Sequence, residues 1–304
     1  MAIEHARVRA VRKPWGRRDL APWSAAHDDA GPIGELWFQR ATSDAAEPRL
    51  LLKLLFTSAP LSIQVHPDDA HAQAMGLPHG KTEAWYVLSA EPDAAVAAGL
   101  KRALAPRELR AAIEDGSIAG LVQWHAVHAG DAVFIPAGTI HAIGPGLVLA
   151  EIQQRSDTTF RLFDYGRARE LHVEEGVAVA DAGPAPPPPA PRKLGDARTL
   201  LVASPYFVLE RVELGPDTTR ILNASRETWI LGLAGDGSVG PTGVAIGEVA
   251  FLDRERCTIH SGSSGLRALV AYPGPEPCRD LFQTPDQSHL DRPRSRFGAS
   301  VHHH

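Results

Sequence analysis

The stretch Leu61–Tyr86, LSIQVHPDDAHAQAMGLPHGKTEAWY, constrains the fold more than any other part of the chain. Ser62, Gln64 and His66 alternate, so a strand turns all three to one face. Pro67 stands at the first position of a short helix, Pro67–Met75, with Asp68 and Asp69 in its first turn and Gly76 after it. A loop leads to a second strand, Thr82–Leu88, on which Glu83 can face back toward Gln64 and His66. Trp85 is expected in the core, on the face opposite Glu83. The segment Gly130–His141, GDAVFIPAGTIH, reads as a turn, a buried strand, a Pro/Gly corner and a histidine on the next strand. Imidazole nitrogens and a carboxylate suit a borderline divalent metal, and a glutamine adds a neutral oxygen. Gln64, His66, Glu83 and His141 therefore form one candidate metal set on a small β-barrel.

Elsewhere short apolar runs are broken by Gly, Pro and polar loops: Ile33–Arg40, Arg49–Phe56, Ala94–Leu100, Leu121–Val127, Ala132–Ile135, Gly146–Gln153 and Thr159–Phe163. Pro106–Glu114 is the clearest helix, with its proline first and Gly116 beyond its end. Many short strands and few helices predict an all-β protein of barrels or sandwiches. The prolines of Asp181–Arg192 cannot form a sheet interior, and the segment is expected as an extended linker. Strands at Tyr206–Val212, Glu227–Leu233, Gly247–Phe251, Cys257–His260 and Leu266–Ala271 then build a second all-β unit without a metal set. The expected organisation is a catalytic domain at residues 1–180, a linker at 181–194, a second domain at 195–275 and an irregular tail at 276–304.

A net charge of −5 speaks against a general nucleic-acid or anionic-membrane partner. No apolar run is long enough to span a bilayer. Two cysteines, Cys257 and Cys278, make neither a metal pair nor a disulfide framework, which points to a reducing cytoplasm. The terminal His302–His304 read as a purification-tag remnant and are set apart from the metal argument.

The spacing Gly130-x5-Pro136-x-Gly138-x-x-His141 matches the second motif of the cupin superfamily, and Gln64-Val65-His66 stands where the first motif normally begins with His-x-His. QVHPDD, GKTEAWY, IPAGTIHAIG and EIQQRSDTTFRLFDYGR together resemble the type I phosphomannose isomerases, in their short bacterial branch, over roughly residues 10–170. The resemblance implies two cupin-like jelly-roll barrels. It also implies interconversion of mannose 6-phosphate and fructose 6-phosphate through a cis-enediolate, with one zinc ion per chain on Gln64, His66, Glu83 and His141. Lys81 matches a lysine beside the metal, Arg161 the arginine of the catalytic stretch, and Asp157 and Glu151 acids near it. Lys53 and Ser62 match positions associated with the substrate phosphate, and Trp15 an aromatic near the site. Arg167 stands where the larger enzymes carry a lysine, keeping the charge but not the amine. Lys81, Asp157 and Glu151 are rival proton shuttles. Two other functions suit the residues: a cupin iron oxygenase, because two histidines and a carboxylate hold non-heme iron, and a non-catalytic sugar-binding cupin, which predicts a broken metal set.

Overall fold

The computed structural model describes residues 3–42 and 46–285, so the expected tail from 286 onward, His302–His304 included, lies outside the described residues. The first half runs β1 (Ile3–His5), β2 (Arg7–Arg17), β3 (Ile33–Gln39), β4 (Leu50–Phe56), β5 (Ile63–Val65), α1 (Asp69–Ala74), β6 (Glu83–Ala90) and β7 (Ala95–Leu100). It continues with α2 (Pro106–Glu114), α3 (Ile118–Leu121), β8 (Val122–Ala126), β9 (Ala132–Ile135), β10 (His141–Ile143), β11 (Leu147–Gln154), β12 (Phe160–Phe163) and α4 (Val173–Val179). All of its strand pairs are antiparallel. One six-stranded sheet has the order β2-β3-β4-β11-β6-β9, and a five-stranded sheet the order β12-β5-β10-β7-β8. The protein is all-β, as its sequence predicts, but the sheets do not close into barrels. They meet face to face through packed side chains such as Trp15, Leu55, Trp85, Val96, Ile143 and Leu149, so burial rather than an edge-to-edge seam joins them.

Each face of these sheets has its own cover. Helices α2, α3 and α4 pack Leu109, Ile113, Ile118 and Val179 on the back of the five-stranded sheet, against Ile63, Val65 and Leu162. The back of the six-stranded sheet, with Leu52, Leu54, Phe56, Val148, Ala150 and Ile152, packs on Leu209, Trp229, Leu231, Phe251 and Leu269 of the second half. β11 is therefore buried along its whole length. That explains its near-continuous apolar reading. Its odd-numbered residues Leu147, Leu149, Glu151 and Gln153 turn inward by the two-residue alternation.

The second half comprises β13 (Arg192–Lys193), β14 (Arg198–Ala203), β15 (Phe207–Leu214), β16 (Thr219–Ala224), β17 (Thr228–Val239), β18 (Thr242–Ala245), β19 (Val249–Leu252), β20 (Glu255–Pro273) and β21 (Phe282–Gln283). β20 is one long strand where the sequence reads two. Three strands lie across the expected domain limits: β1 pairs with β19, β21 pairs with β16, and β13, inside the expected linker, pairs with β14. The proline-rich segment is held at its start, where Leu100 N–H donates to Gly183 O (2.8 Å), and Pro186–Pro191 runs exposed along the surface. Among the described residues no helix is long and apolar enough to cross a membrane.

Candidate active site

Strand register brings the first key residues side by side. On the five-stranded sheet Arg161, Gln64 and His141 lie opposite one another across β12, β5 and β10. On the six-stranded sheet Trp37, Lys53, Glu151 and Trp85 form the matching row across β3, β4, β11 and β6. The two rows face the same interior. Glu83 and Trp85 share that face because they are two residues apart, which corrects the expectation that Trp85 points the other way. The Trp85 indole donates to Glu151 Oε1 (3.1 Å), and its ring meets His141 edge-on at 5.6 Å between centroids. The Pro/Gly corner sets β10 against the first motif. Gly138 has φ 87° and donates its N–H to His66 O (2.9 Å), and a Cβ there would stand 2.8 Å from Asp181 Oδ2.

His66, Glu83 and His141 are fully buried, and their ligand atoms all lie within 4.8 Å of one another. His141 Nε2 stands 3.3 Å from Glu83 Oε1, and His66 Nε2 3.5 Å from Glu83 Oε2. Each ring spends its other nitrogen on a backbone carbonyl: His66 Nδ1 on Thr158 O (2.9 Å) and His141 Nδ1 on Thr139 O (2.8 Å). This leaves both Nε2 atoms unprotonated and near Glu83, the tautomer that histidines holding metals adopt. Burial, then Lys81, lowers the His66 pKa to about 3, and burial lowers that of His141. Burial alone would raise Glu83, but Lys81 and the two histidines hold it well below its ordinary value.

The donor set fits a cation on two observations. Glu83 Oε1 is buried with no hydrogen-bond partner, a costly state unless something positive meets it. The Lys81 ammonium already stands among these atoms, 3.1 Å from His66 Nε2 and in contact with Glu83. Gln64 completes the expected set: its Nε2 lies 3.2 Å from His141 Nε2, while its oxygen accepts from Ser62 Oγ (3.2 Å). A half-turn of the amide exchanges these two ends.

Above this group opens a cavity of roughly 380 Å3 lined by Trp15, Lys53, Ser62, Gln64, Lys81, Glu151, Asp157 and Arg161 among others. Eight sequence-chosen residues thus line one cavity, from both sheets, and Trp15 also belongs to the core beneath it. Arg167 does not line this cavity; it donates to the Asp164 carboxylate and to Pro60 O. Lys53 is buried 3.3 Å from Glu151 Oε2 and 3.4 Å from Asp157 Oδ1, with its ammonium 4.5 Å from the Trp37 ring centre. Burial works against its charge, but Glu151, Glu35 and Asp157 outweigh it and raise its pKa. Burial, reinforced by Glu83 and resisted by Lys81 and Lys53, raises the Glu151 pKa.

The other cations of the cavity are also matched. Lys13 pairs with Glu35 (3.0 Å), and Arg169 makes two 2.6 Å bonds to Asp164. Arg161 differs. Its Nη1 donates to Glu170 O (2.7 Å), and its buried Nε has no partner. Burial, then Arg169, lowers its pKa. Lys13, Glu35, Arg169 and His172 line the cavity without having been singled out in the sequence. One signal was available: Glu35 interrupts the apolar strand IGELWFQ as Lys53 interrupts RLLLKLLF.

No protein-family model matches the chain. It is 36% identical over 220 residues to the mannose-6-phosphate isomerase of Streptococcus mutans, covering 68% of this chain and 69% of that protein. It is 40% identical over 139 residues to the mannose-6-phosphate isomerase ManA of Bacillus subtilis, covering 43% of this chain and 44% of that one. Among solved structures, a mannose 6-phosphate isomerase from Bacillus subtilis superposes with TM-score 0.77 at 22% identity, over 90% of this chain and 100% of the other. A mutant of the phosphomannose isomerase from Salmonella typhimurium gives TM-score 0.68 at 16% identity, over 90% and 100%. At these identities the two structures speak for the fold.

Proposed function

The chain belongs to the mannose-6-phosphate isomerase family, and from that premise we infer that it interconverts mannose 6-phosphate and fructose 6-phosphate in the cavity above His66, Glu83 and His141. Its relatives are aldose–ketose isomerases, which favours this reading over the iron oxygenase and the sugar-binding cupin. The observation that carries the site assignment is an under-satisfied buried carboxylate, Glu83, whose neighbour Lys81 lines the same cavity as Arg161, an arginine with no acid partner among the described residues.

Aldose–ketose isomerisation moves a proton between neighbouring carbons and builds negative charge on two neighbouring oxygens. A divalent ion on His66, Glu83 and His141, with Gln64 beside them, would supply Lewis-acid stabilisation of that charge; we propose zinc. Arg161 adds a preorganised cation on the adjacent strand, acting more strongly on the developing oxyanion than on neutral hydroxyls. Glu151 suits the proton shuttle: it is buried, holds its proton more tightly than an ordinary carboxylate, and is aimed by Trp85 and Lys53. Lys81 is closed against Glu83, and Asp157 is largely exposed, which favours Glu151 over both. Three acids surround Lys53. They make it a partner for Glu151 before it is a ligand for a phosphate dianion, and the phosphate remains assigned to this cavity with Ser62 on its wall. The free thiols at Cys257 and Cys278 support a cytoplasmic enzyme.

The test is isomerisation of mannose 6-phosphate in deuterated water, followed by NMR. Deuterium should enter the transferred position, and Glu151→Gln should abolish both turnover and exchange. Turnover by Glu151→Gln at the normal rate would remove it as the shuttle.

A further inference from the structure

Arg161 lies on β12, the edge strand of its sheet, where an arginine ordinarily swings into solvent. Here the segment that follows the strand closes over it. His172 N–H donates to Arg161 O (2.8 Å), and Arg161 N–H donates to His172 Nδ1 (3.0 Å). The guanidinium reaches Glu170 O (2.7 Å). Residues 164–171 form no helix or strand, and Tyr165 and Gly166 hold φ of 54° and 79°. Its own backbone bonds are two local ones, Arg167 N–H to Asp164 O (3.1 Å) and Arg169 N–H to Arg167 O (2.8 Å).

One carboxylate ties these turns together. Asp164 is 4% exposed at the end of β12. Its Oδ1 accepts from Arg167 Nε (3.0 Å) and Arg169 Nη2 (2.6 Å), and its Oδ2 from Arg169 Nε (2.6 Å). Arg167 in turn donates to Pro60 O (2.7 Å), beside the strand that carries Gln64. Burial would raise the Asp164 pKa, but the two arginines outweigh it and keep it below its ordinary value. The same contacts neutralise Arg169, leaving Arg161 the cavity-lining cation with no acid partner among the described residues.

We propose that Asp164, through Arg167 and Arg169, is a positioning residue for the isomerase reaction. It folds the 164–172 segment into a clasp that holds Arg161 by its backbone and its guanidinium and keeps that one cation free for substrate. The inference rests on the reading that Arg161 stabilises the developing oxyanion. It also gives Arg167 a place: its charge serves the clasp and not the cavity wall.

A double-mutant cycle on the metal-loaded full chain tests it, with mannose 6-phosphate as substrate. The proteins are the parent, Asp164→Asn, Arg161→Ala and the pair combined, with metal content and thermal melting measured for each. Asp164→Asn should lower kcat about tenfold, because misplacing a charge by an ångström costs that much or more, and leave KM and metal content near parent values. In the Arg161→Ala background the same change should cost less than about twofold, since coupled residues do not add. Asp164→Glu should restore part of kcat. An equal fractional loss in both backgrounds would make Asp164 merely structural and overturn the clasp. So would a normal Asp164→Asn enzyme beside a crippled Arg161→Ala. Normal turnover in Arg161→Ala would instead overturn the reading of Arg161 on which the clasp depends.

Discussion

Glu83 in the first half and Glu210 in the second are both fully buried carboxylates inside antiparallel β-sheet cores. Glu210 is closed off: Arg198 gives its two oxygens 2.7 Å bonds, Tyr272 adds its hydroxyl, and the surroundings are Val208, Val212, Val270 and other apolar residues. Glu83 faces two unprotonated imidazole nitrogens and a lysine, with one oxygen unpartnered, beneath a polar cavity. A buried charge whose partners saturate it is a structural pair. One left short of partners is a place where something else binds. The two halves thus teach that the sheet architecture is neutral toward function, and that satisfaction of the buried polar groups separates scaffold from site.

Breaking the unsatisfied side should have the largest effect. His66→Ala or His141→Ala should lose bound metal and isomerase activity together, read by elemental analysis beside a coupled assay; full metal occupancy with normal turnover would remove the proposed centre. Next comes Arg161→Ala, expected to lower kcat roughly 10²-fold while metal content and melting stay unchanged, as loss of a preorganised donor does. Arg161→Lys should recover only part of that loss, since the planar fork is gone. Lys53→Met sits between the two kinds of buried charge. It strands Glu151 without its nearest cation, so stability should fall by about 3–5 kcal/mol in chemical denaturation. A variant that melts like the parent but has a KM raised by an order of magnitude would return Lys53 to phosphate binding. The smallest change in activity belongs to the satisfied pair. Glu210→Gln should lower the melting temperature and leave kcat of the folded enzyme unchanged, and a large kcat loss would show that the halves are functionally coupled.

Much of this contrast was legible in the sequence. Gln64, His66, Glu83 and His141 stand at spacings that alternation and a Pro/Gly corner bring to one interior. Pro106–Glu114 announced itself by its leading proline and the Gly116 beyond its end, and is a helix over those residues. Other parts were hidden for physical reasons. Val173–Val179 is rich in valine and reads against helix, yet it is helical because Leu162 and Val65 offer it a surface. Ser261–Gly265 looks like a turn, but β20 runs through it, paired before it with β16 and β17 and after it with β15 and β17. The sheets of the first half are covered on both faces, so no polar alternation marks which side of β4 or β11 is inner. Glu35 offered only its interruption of an apolar strand, and Asp164, whose arginines lie three and five residues on, is marked out by a burial that sequence does not show.

The account turns on whether the unsatisfied group around Glu83 holds a catalytic cation. The direct measurement is mannose 6-phosphate isomerase turnover of protein prepared without an immobilised-metal column, first stripped by a chelator and then titrated with zinc. The account predicts that stripping removes turnover, that it returns with a sharp break at one ion per chain, and that His141→Ala shows no return. Undiminished turnover in fully stripped protein, with metal confirmed absent, would contradict it.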